Sequence, residues 1–374
     1  MKVIERKSMN ILFDILKEKG YKIVGPVIKE RAIVYDEIDS ADEMPIGWTD
    51  EQDAAEYRLK KRTDKALFGY VVGPQSWKKF LFTPKLKLLS MKRNGKEFEI
   101  HSNNTQTEKY AFIGVRGCEL NAIFIQDKVF KDGEYVDPYY KQIRENILII
   151  AVNCTEPGGT CFCVSMNTGP KVKKGYDLAL TEIIAEKKHN FTAEAGSEKG
   201  EEILNKLSAK EAAKEDVETV DKLMKSASRK MGRKMDTAGI KDLLYENLEH
   251  PQWDDAAKRC LTCANCTMVC PTCFCSTVED VTDLKGENAE RWRRWDSCFS
   301  LDYSKVAGGN FRTSPKARYR QWMTHKLGTW IDQFGTSGCV GCGRCITWCP
   351  VGIDITKEVQ AIRNNPIKKQ TKSA

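Results

Sequence analysis

The chain has 374 residues, enough for two domains, and its 41% hydrophobic and 30% charged residues are ordinary for a soluble protein. Its 15 cysteines are an odd count, which excludes a fully paired disulfide framework. No run approaches the ~18 apolar residues of a membrane span, and the first residues, MKVIERKSMN, lack the apolar core of a signal peptide. We therefore expect a cytoplasmic protein whose clustered cysteines bind metal.

Residues 1–205 are predicted to form an α/β domain. Apolar or alternating runs predict strands at Lys22 to Val27, Leu67 to Val72, Tyr110 to Val115, Ile147 to Val152 and Tyr176 to Leu180. Between the third and fourth of these strands, apolar residues near helical spacing predict a helix over residues 119–130. Strands interleaved with helices indicate one α/β core.

The composition changes after residue 205. Residues 206–240 are rich in Lys, Glu and Ala and are predicted to form a charged helical linker. Residues 241–365 hold eleven of the fifteen cysteines and lack strand-like alternation, so we expect short helices separated by cysteine-bearing loops. Residues 366–374 are predicted to be a disordered tail.

Two cysteine runs in the second domain share one spacing. Each run reads C-x2-C-x2-C-x3-C followed by proline, and the two consist of Cys260, Cys263, Cys266 and Cys270, then Cys339, Cys342, Cys345 and Cys349. This is the ligand pattern of bacterial ferredoxins, in which the fourth cysteine of one run binds the cluster of the other run. Three thiolates two residues apart reach three iron corners of a [4Fe–4S] cube, and the fourth corner takes a ligand from elsewhere.

The pattern therefore predicts two [4Fe–4S] clusters with crossed ligands. Cluster 1 takes Cys260, Cys263, Cys266 and Cys349, and cluster 2 takes Cys339, Cys342, Cys345 and Cys270. Structural zinc is the rival interpretation, but zinc favours two C-x2-C pairs separated by a spacer. Two anionic cubes of about −2 or −3 each would offset about half of the net charge of +8, so this charge is weak evidence for nucleic acid.

The spacing between the runs predicts the architecture of the second domain. Here 68 residues separate Cys270 from Cys339, whereas the runs of small ferredoxins lie close together. This matches the α-helical ferredoxin architecture. The fold class is therefore predicted as α+β, an N-terminal α/β domain followed by an α-helical ferredoxin (dicluster) domain.

The first domain holds four further cysteines, which raise the question of a third cluster. Cys118 and Cys154 follow two predicted strands, and Cys161 and Cys163 come after a Pro-Gly-Gly turn. If those strands are neighbours in one sheet, all four sulfurs converge at one sheet edge. The alternative is simple packing of buried free cysteines, and the type of a third cluster, [2Fe–2S] or [4Fe–4S], is open.

Cys273, Cys275 and Cys298 remain, and three cysteines make an incomplete site, which favours packing. Their thiols are also able to donate S–H bonds to a neighbouring cube or to serve as ligands in another register. Cys273 and Cys275 stand in the tetrapeptide Thr-Cys-Phe-Cys, which also occurs at residues 160–163.

Several further motifs carry a resemblance to a known family. They include Pro45-Ile-Gly-Trp-Thr-Asp-Glu-Gln, Phe68-Gly-Tyr-Val-Val-Gly-Pro, Asn153-Cys, Thr160-Cys-Phe-Cys, Trp295-Asp-Ser-Cys, His325-Lys and Gly341-Cys-Gly-Arg-Cys. The chain resembles the 4Fe–4S dicluster subunits typified by the β subunit of sulfhydrogenase, a group 3 NiFe hydrogenase, and the A subunit of anaerobic sulfite reductase. One departure is Arg116-Gly-Cys-Glu119, where the family has Arg-Pro-Cys-Asp.

The resemblance implies a subunit that carries electrons between a flavoprotein that meets NAD(P)H and a catalytic partner such as a NiFe hydrogenase or sulfite reductase. The chain has neither a dinucleotide-binding G-x-G-x-x-G after a strand nor a phosphate-binding G-x4-G-K-[ST]. Flavin and nucleotide must therefore come from a partner in a hetero-oligomeric complex, with no nucleic acid and no direct membrane insertion. The alternative is an enzyme whose α/β domain itself binds and reduces a small substrate.

Overall fold

The computed structural model describes residues 1–102, 108–185 and 188–367. Its strands are β1 (Lys2–Glu5), β2 (Lys22–Lys29), β3 (Ala32–Glu37), β4 (Trp48–Asp53), β5 (Glu56–Lys61), β6 (Lys85–Asn94), β7 (Glu97–Ser102), β8 (Tyr110–Val115), β9 (Ile147–Val152), β10 (Leu178–Ala185), β11 (Lys188–Ala195), β12 (Lys210–Glu211), β13 (Ser276–Thr282) and β14 (Asn288–Trp295).

Its helices are α1 (Ser8–Glu18), α2 (Lys78–Leu81), α3 (Gly117–Phe130), α4 (Pro138–Glu145), α5 (Glu198–Lys206), α6 (Lys214–Arg229), α7 (Ile240–Glu246), α8 (Gln252–Arg259), α9 (Asn265–Met268), α10 (Pro315–Thr324), α11 (Trp330–Phe334), α12 (Arg344–Thr347) and α13 (Ile355–Asn364). A 3₁₀ turn spans Ala41–Glu43, and a π-helical turn, His325–Thr329, joins α10 to α11. The α+β class is confirmed.

An eight-stranded sheet forms the core of the first half, in the order β12-β1-β11-β10-β9-β8-β2-β3. The four central strands, β10, β9, β8 and β2, pair in parallel, and the outer strands pair antiparallel. Every residue of β9 is buried, as expected for a parallel strand covered on both faces. Because β8 and β9 are parallel neighbours, their carboxyl ends meet at one edge, which is the arrangement that the cysteine argument required.

The strand predicted at Leu67 to Val72 is wrong, because this segment is a buried loop. Its backbone groups bond to buried side chains instead of a neighbouring strand. The N–H groups of Leu67 and Phe68 donate to the Glu182 carboxylate at 2.7 and 2.9 Å, and the Val71 N–H donates to Asp50 at 2.7 Å. An apolar run alone does not distinguish a strand from a loop whose polar groups are satisfied in this way.

The second half packs short helices around a second apolar core, which also includes Phe162 of the first half. Trp253 of α8, Met323 of α10, Leu327 and Val359 of α13 are buried in this core, and several cysteines of the two runs pack against it. Some of its cysteine-bearing loops adjoin short helices, since Cys260 follows α8 and Cys349 lies after α12, whereas Cys275 directly precedes strand β13.

The expected lack of strands in residues 241–365 is wrong. Strands β13 and β14 form a hairpin that joins β6 and β7 in a four-stranded sheet, in the order β13-β14-β6-β7. Charged residues dominate the hairpin and much of it is exposed, so its sequence lacks the apolar alternation of a half-buried strand. One sequence feature does indicate a hairpin here, namely the turn at Gly286, which has φ +68°. The Asp283 carboxylate accepts hydrogen bonds from the N–H groups of Glu287 and Asn288 in this turn.

Residues 206–240 are helical in part. They include α6, whose Val220, Met224 and Ala227 are buried, and the short strand β12, which extends the large sheet at β1. The domain boundaries at residues 205, 240 and 365 stay predictions. Most of the predicted tail, residues 368–374, lies outside the described residues.

Candidate iron–sulfur centres

The four cysteines predicted for cluster 1 lie around one cavity. Cys260, Cys263, Cys266 and Cys349 line it together with Cys345 of the other set. Burial raises the pKa of the Cys266 thiol well above its usual range, and the neighbouring thiolates of Cys260, Cys349 and Cys263 raise this pKa further. The fourth cysteine of the second run therefore lies beside the first three cysteines of the first run.

The four cysteines predicted for cluster 2 form an adjoining group. Burial raises the pKa of the Cys345 thiol well above its usual range, and the thiolates of Cys339, Cys342 and Cys270 raise it further, followed by that of Cys266. Cys345 also lines the cluster 1 cavity, so the two groups are neighbours. The structure thus brings both crossed sets together, and iron binding by these eight residues stays a prediction.

Backbone N–H groups of the ligand loops point at three of these sulfurs. The N–H of Thr262 donates to Cys260 Sγ at 3.4 Å, and the N–H of Gly341 donates to Cys339 Sγ at 3.4 Å. A third such bond, from Ile353 to Cys349 Sγ, measures 3.3 Å. Bonds of this kind orient thiolate ligands and lower the negative charge on sulfur.

Two glycines let the second loop pack tightly. Gly341 and Gly343 have φ of +66° and +77°, which residues with a side chain rarely adopt. A Cβ at Gly341 would lie 2.6 Å from the Phe162 carbonyl oxygen, and one at Gly343 would lie 2.4 Å from Thr160 Oγ1. The loop of the second run is therefore pressed against residues 160–163 of the first half.

The first cavity also carries donors that suit an anionic cluster. Tyr319 and Trp322 line it, and the Tyr319 hydroxyl and the Trp322 indole N–H are buried with no hydrogen-bond partner among the described protein atoms. Buried donors without partners are rare, because each costs free energy. The sulfurs of a cube would accept these hydrogen bonds, so the residues present fit a [4Fe–4S] cluster.

A single metal ion would need a different arrangement of ligands from that of a [4Fe–4S] cube. In the described parts of the chain, no three His, Cys, Asp or Glu side chains come together as the ligands of one ion. Zinc would hold its four sulfurs about 2.3 Å from one centre. A cube instead spreads four thiolates over four iron corners, so its ligands lie farther apart.

The four cysteines of the first half meet at the carboxyl edge of the parallel strands. Cys118, in the first turn of α3, and Cys154, just after β9, line one small cavity together with Cys161 and Cys163. Burial raises the pKa of the Cys161 thiol well above its usual range, and the thiolates of Cys163 and Cys154 raise it further. The convergence expected from the strand order is therefore present.

Arg116 places positive charge beside the cavity lined by Cys118, Cys154, Cys161 and Cys163, which we call the third cavity because it belongs to the third cysteine group. It lines the cavity and is buried, and its guanidinium donates to the carbonyl oxygens of Phe68 and Tyr70 at 2.7 and 2.9 Å. Burial lowers the pKa of Arg116, but the neighbouring Cys154 thiolate and other anionic groups more than offset this. Within the described residues Arg116 forms no salt bridge with a carboxylate, which suits a cavity that holds an anionic cluster.

The second and third groups share one interface. The Phe162 N–H donates to the Gly341 carbonyl oxygen at 2.8 Å, and the hydroxyls of Thr160 and Thr347 lie 2.8 Å apart. Gly341 also lines the third cavity, and the Cys342 thiolate raises the pKa of the Cys118 thiol after burial and Cys163. The three groups therefore follow one another in space, in the order cluster 1, cluster 2, third group.

Cys273, Cys275 and Cys298 line neither the first nor the third cavity. A hydrogen bond from Cys298 and another from the Tyr303 hydroxyl lower the pKa of the Cys275 thiol to about 6, against the effect of burial. Cys273 lies beside Cys270, a predicted ligand of cluster 2. Cys275 contacts Cys298 and Tyr303, and Cys273 contacts Cys270 and Lys326. Packing or S–H donation stays the prediction for these three thiols.

Sequence reasoning missed the buried cations around the cysteines. Arg344 is fully buried and pairs with Glu119 at 2.5 Å, while Lys78 and Lys326 lie beside the second group. Arg344 and Lys326 stood in motifs that carried the resemblance, but a lone cation in a motif gives no indication of its burial. The burial of these cations is recognised only in the structure, because each cation lies beside cysteines that are distant from it in the sequence.

Comparison with known proteins agrees with this geometry. Residues 259–353 match the family model described as a 4Fe-4S dicluster domain. The chain is 30% identical over 358 residues, 95% of its length and 96% of the relative's, to Sulfhydrogenase 2 subunit beta of Pyrococcus furiosus. The chain belongs to this family of 4Fe–4S dicluster subunits.

Membership of the 4Fe–4S dicluster family makes the chain an iron–sulfur electron-transfer subunit. No solved structure gave a significant match. In the described residues, no helix is both long enough and apolar enough to cross a membrane.

Proposed function

We propose that the chain relays electrons between a flavoprotein linked to NAD(P)H and a catalytic partner such as a NiFe hydrogenase or a sulfite reductase. The observation that carries this proposal is the row of three four-cysteine groups. Two would hold [4Fe–4S] clusters, and the third would hold another iron–sulfur cluster. When bound, each cluster takes up and releases one electron at a time.

The cluster 1 end of the row reaches the surface. At cluster 1, Cys263 is exposed and so is the adjacent Leu261, whereas Cys342 in the middle is buried. In the third group Cys154 is half-buried, while Cys118, Cys161 and Cys163 are buried. Electrons would enter or leave at cluster 1 and pass along the row through cluster 2, whose Cys270 and Cys342 are buried and whose Cys339 and Cys345 are half-buried.

Protein partners complete this proposal. The Pyrococcus furiosus relative is named as a subunit, and we propose that this chain likewise works in a cytoplasmic hetero-oligomeric complex. Its own residues would hold and shield the clusters. The N–H groups described above donate to cysteine sulfurs, and Tyr319 and Trp322 would donate to the sulfurs of a bound cube. The partners would supply the flavin and the catalytic metal.

The test is reduction by NAD(P)H with and without partners. A tagged chain is purified anaerobically, both as the complex that co-purifies with it and as the isolated chain. We expect dithionite to reduce the clusters of both, whereas NAD(P)H reduces those of the complex alone, as followed by bleaching of visible absorption and by EPR.

A matched control is the complex with Cys266→Ser, which should lose rapid reduction of a catalytic acceptor while its flavin is still reduced. If the isolated chain turned over NAD(P)H and a small substrate by itself, the relay proposal would be overturned in favour of a substrate-reducing α/β domain. If purified protein held zinc and no iron, both proposals would fail.

A further inference from the structure

Lys326 is a buried cation at the second cysteine group. It lies in the π-helical turn between α10 and α11 and is 3% exposed. Its ammonium group lies 3.3 Å from Cys270 Sγ and 3.4 Å from Cys273 Sγ. Its other contacts are Thr272 Oγ1 at 3.3 Å and the Gly338 carbonyl oxygen at 3.4 Å.

Lys78 is a second buried cation near the second cysteine group. It begins α2, in the first half of the chain, and is 4% exposed. Its ammonium group donates to the carbonyl oxygens of Cys273 at 3.1 Å and Met268 at 3.5 Å. It also lies 4.0 Å from the centre of the Trp295 ring, a cation–π contact.

Neither lysine has a carboxylate partner among the described residues, and their charged neighbours are cysteines and each other. The Lys326 ammonium group lies within hydrogen-bond distance of Cys270 Sγ, whereas that of Lys78 reaches backbone carbonyl oxygens, and burial lowers the pKa of Lys78. A buried ammonium without a counter-charge is costly. The ligand thiolates of cluster 2 are the anions that meet this need.

Among the described residues, no lysine or arginine lines the cavity of the first cysteine group. The side chains around its cavity, apart from the cysteines, are neutral and include Phe299, Tyr319 and Trp322. Arg259, which precedes its first cysteine, is half-buried and pairs with Asp255 at 2.7 Å and Glu358 at 2.9 Å. The charge of Arg259 is therefore compensated by carboxylates, whereas the charges of Lys326 and Lys78 have no carboxylate partner among the described residues.

We propose that Lys326 and Lys78 hold cluster 2 at a more positive reduction potential than cluster 1, so that an electron on the relay comes to rest on cluster 2. Reduction makes a thiolate-bound cube more negative, from about −2 to −3. Buried positive charge stabilises this reduced form, and it is poorly screened there because water is excluded. The inference rests on the two cubes of the proposed function.

The test is an EPR-monitored redox titration of the purified chain with Lys326→Met and with Lys78→Met. Methionine keeps most of the side-chain length and apolar bulk but removes the charge. We expect the more positive of the two cubane potentials to move to a more negative value in both variants. The expected size is at least a tenfold fall in the ratio of reduced to oxidised cluster at a fixed potential, which is about 59 mV for a one-electron couple.

Two controls separate charge from structure. Lys326→Arg keeps the charge and should leave both potentials near the wild-type values. Lys258→Met removes an exposed charge on α8, two residues before Cys260, and should shift either potential much less, because water screens it.

Three outcomes would overturn the inference. They are an unchanged more positive potential, a shift confined to the more negative one, and loss of cubane iron from both methionine variants, since that would show that the lysines are needed to hold the cluster. A wild-type chain without cubane signals would instead defeat the proposed function itself.

Discussion

Replacing Cys161 and Cys163 together with alanine is expected to lower the iron content from about ten to twelve atoms per chain to about eight, by the iron counts of the cluster types. Both thiols line the third cavity with Cys118 and Cys154. Without half of its ligands the third cluster cannot assemble, whereas both cubes keep all eight of theirs. Iron and sulfide analysis of anaerobically purified protein measures this directly.

The chain offers a matched control with the same local sequence. Cys273 and Cys275 occupy the second Thr-Cys-Phe-Cys, and their replacement by alanine is expected to leave the iron content unchanged. In both copies the threonine is fully buried. The copies differ in what the cysteines meet, because one pair lines a cavity with two further cysteines while the other lies beside Lys326 and Cys298.

Equal iron contents for the wild type and the Cys161/Cys163 variant would show that the third group is a packed set of free thiols. EPR distinguishes the remaining cases. A loss of about two irons with the cubane signals intact indicates a [2Fe–2S] cluster, and a loss of about four indicates a third cube.

Replacing Glu119 with glutamine is expected to lower the free energy of unfolding by about 3–5 kcal/mol, the usual cost of breaking a buried ion pair by removing one partner. Glu119 is 1% exposed and Arg344 is fully buried. The Glu119 carboxylate also accepts from the Tyr35 hydroxyl at 2.7 Å and the Trp77 indole N–H at 3.1 Å. Glutamine keeps the shape but leaves the Arg344 charge without compensation.

The shift of the urea midpoint of the anaerobic holoprotein measures this loss. The control is Arg291→Gln, which breaks the exposed Arg291–Asp280 pair at 2.7 Å and should cost no more than about 1 kcal/mol. Equal midpoint shifts for the two variants would contradict the assigned role of Glu119. The pair joins α3 to the loop of the second cysteine run, so the third cavity should loosen with it, seen as faster loss of iron to a chelator.

Features encoded by local spacing were predictable from the sequence. The two cysteine runs, β8, β9 and the helix that became α3 all have periodic or spaced patterns, and the convergence of Cys118 with Cys154 followed from the rule that parallel neighbours end at one edge. The placement of Cys349 beside the first run was predictable from the ferredoxin ligand pattern, and the crossed binding of iron by Cys270 and Cys349 stays a prediction.

Features set by distant contacts were not predictable. The segment at residues 67–72 is a loop because Glu182 and Asp50 satisfy its backbone, and neither partner is near in sequence. The hairpin of β13 and β14 carries little apolar alternation, because it is stabilised by pairing with β6. The burial of Lys326 has no sequence signal, because its neighbours Cys270 and Gly338 come from two different loops.

The pairing of β14 with β6 means that the four-stranded sheet is completed late during synthesis of the chain. Lys92 of β6 pairs with Asn288 of β14, which the ribosome reaches roughly two hundred residues later, a delay of about 10–40 s at 5–20 residues per second. Until then the β6 edge of the β6–β7 hairpin lacks its partner β14, and an unpaired edge can pair with other chains. The nascent first half must therefore stay unaggregated until the cysteine-rich half emerges.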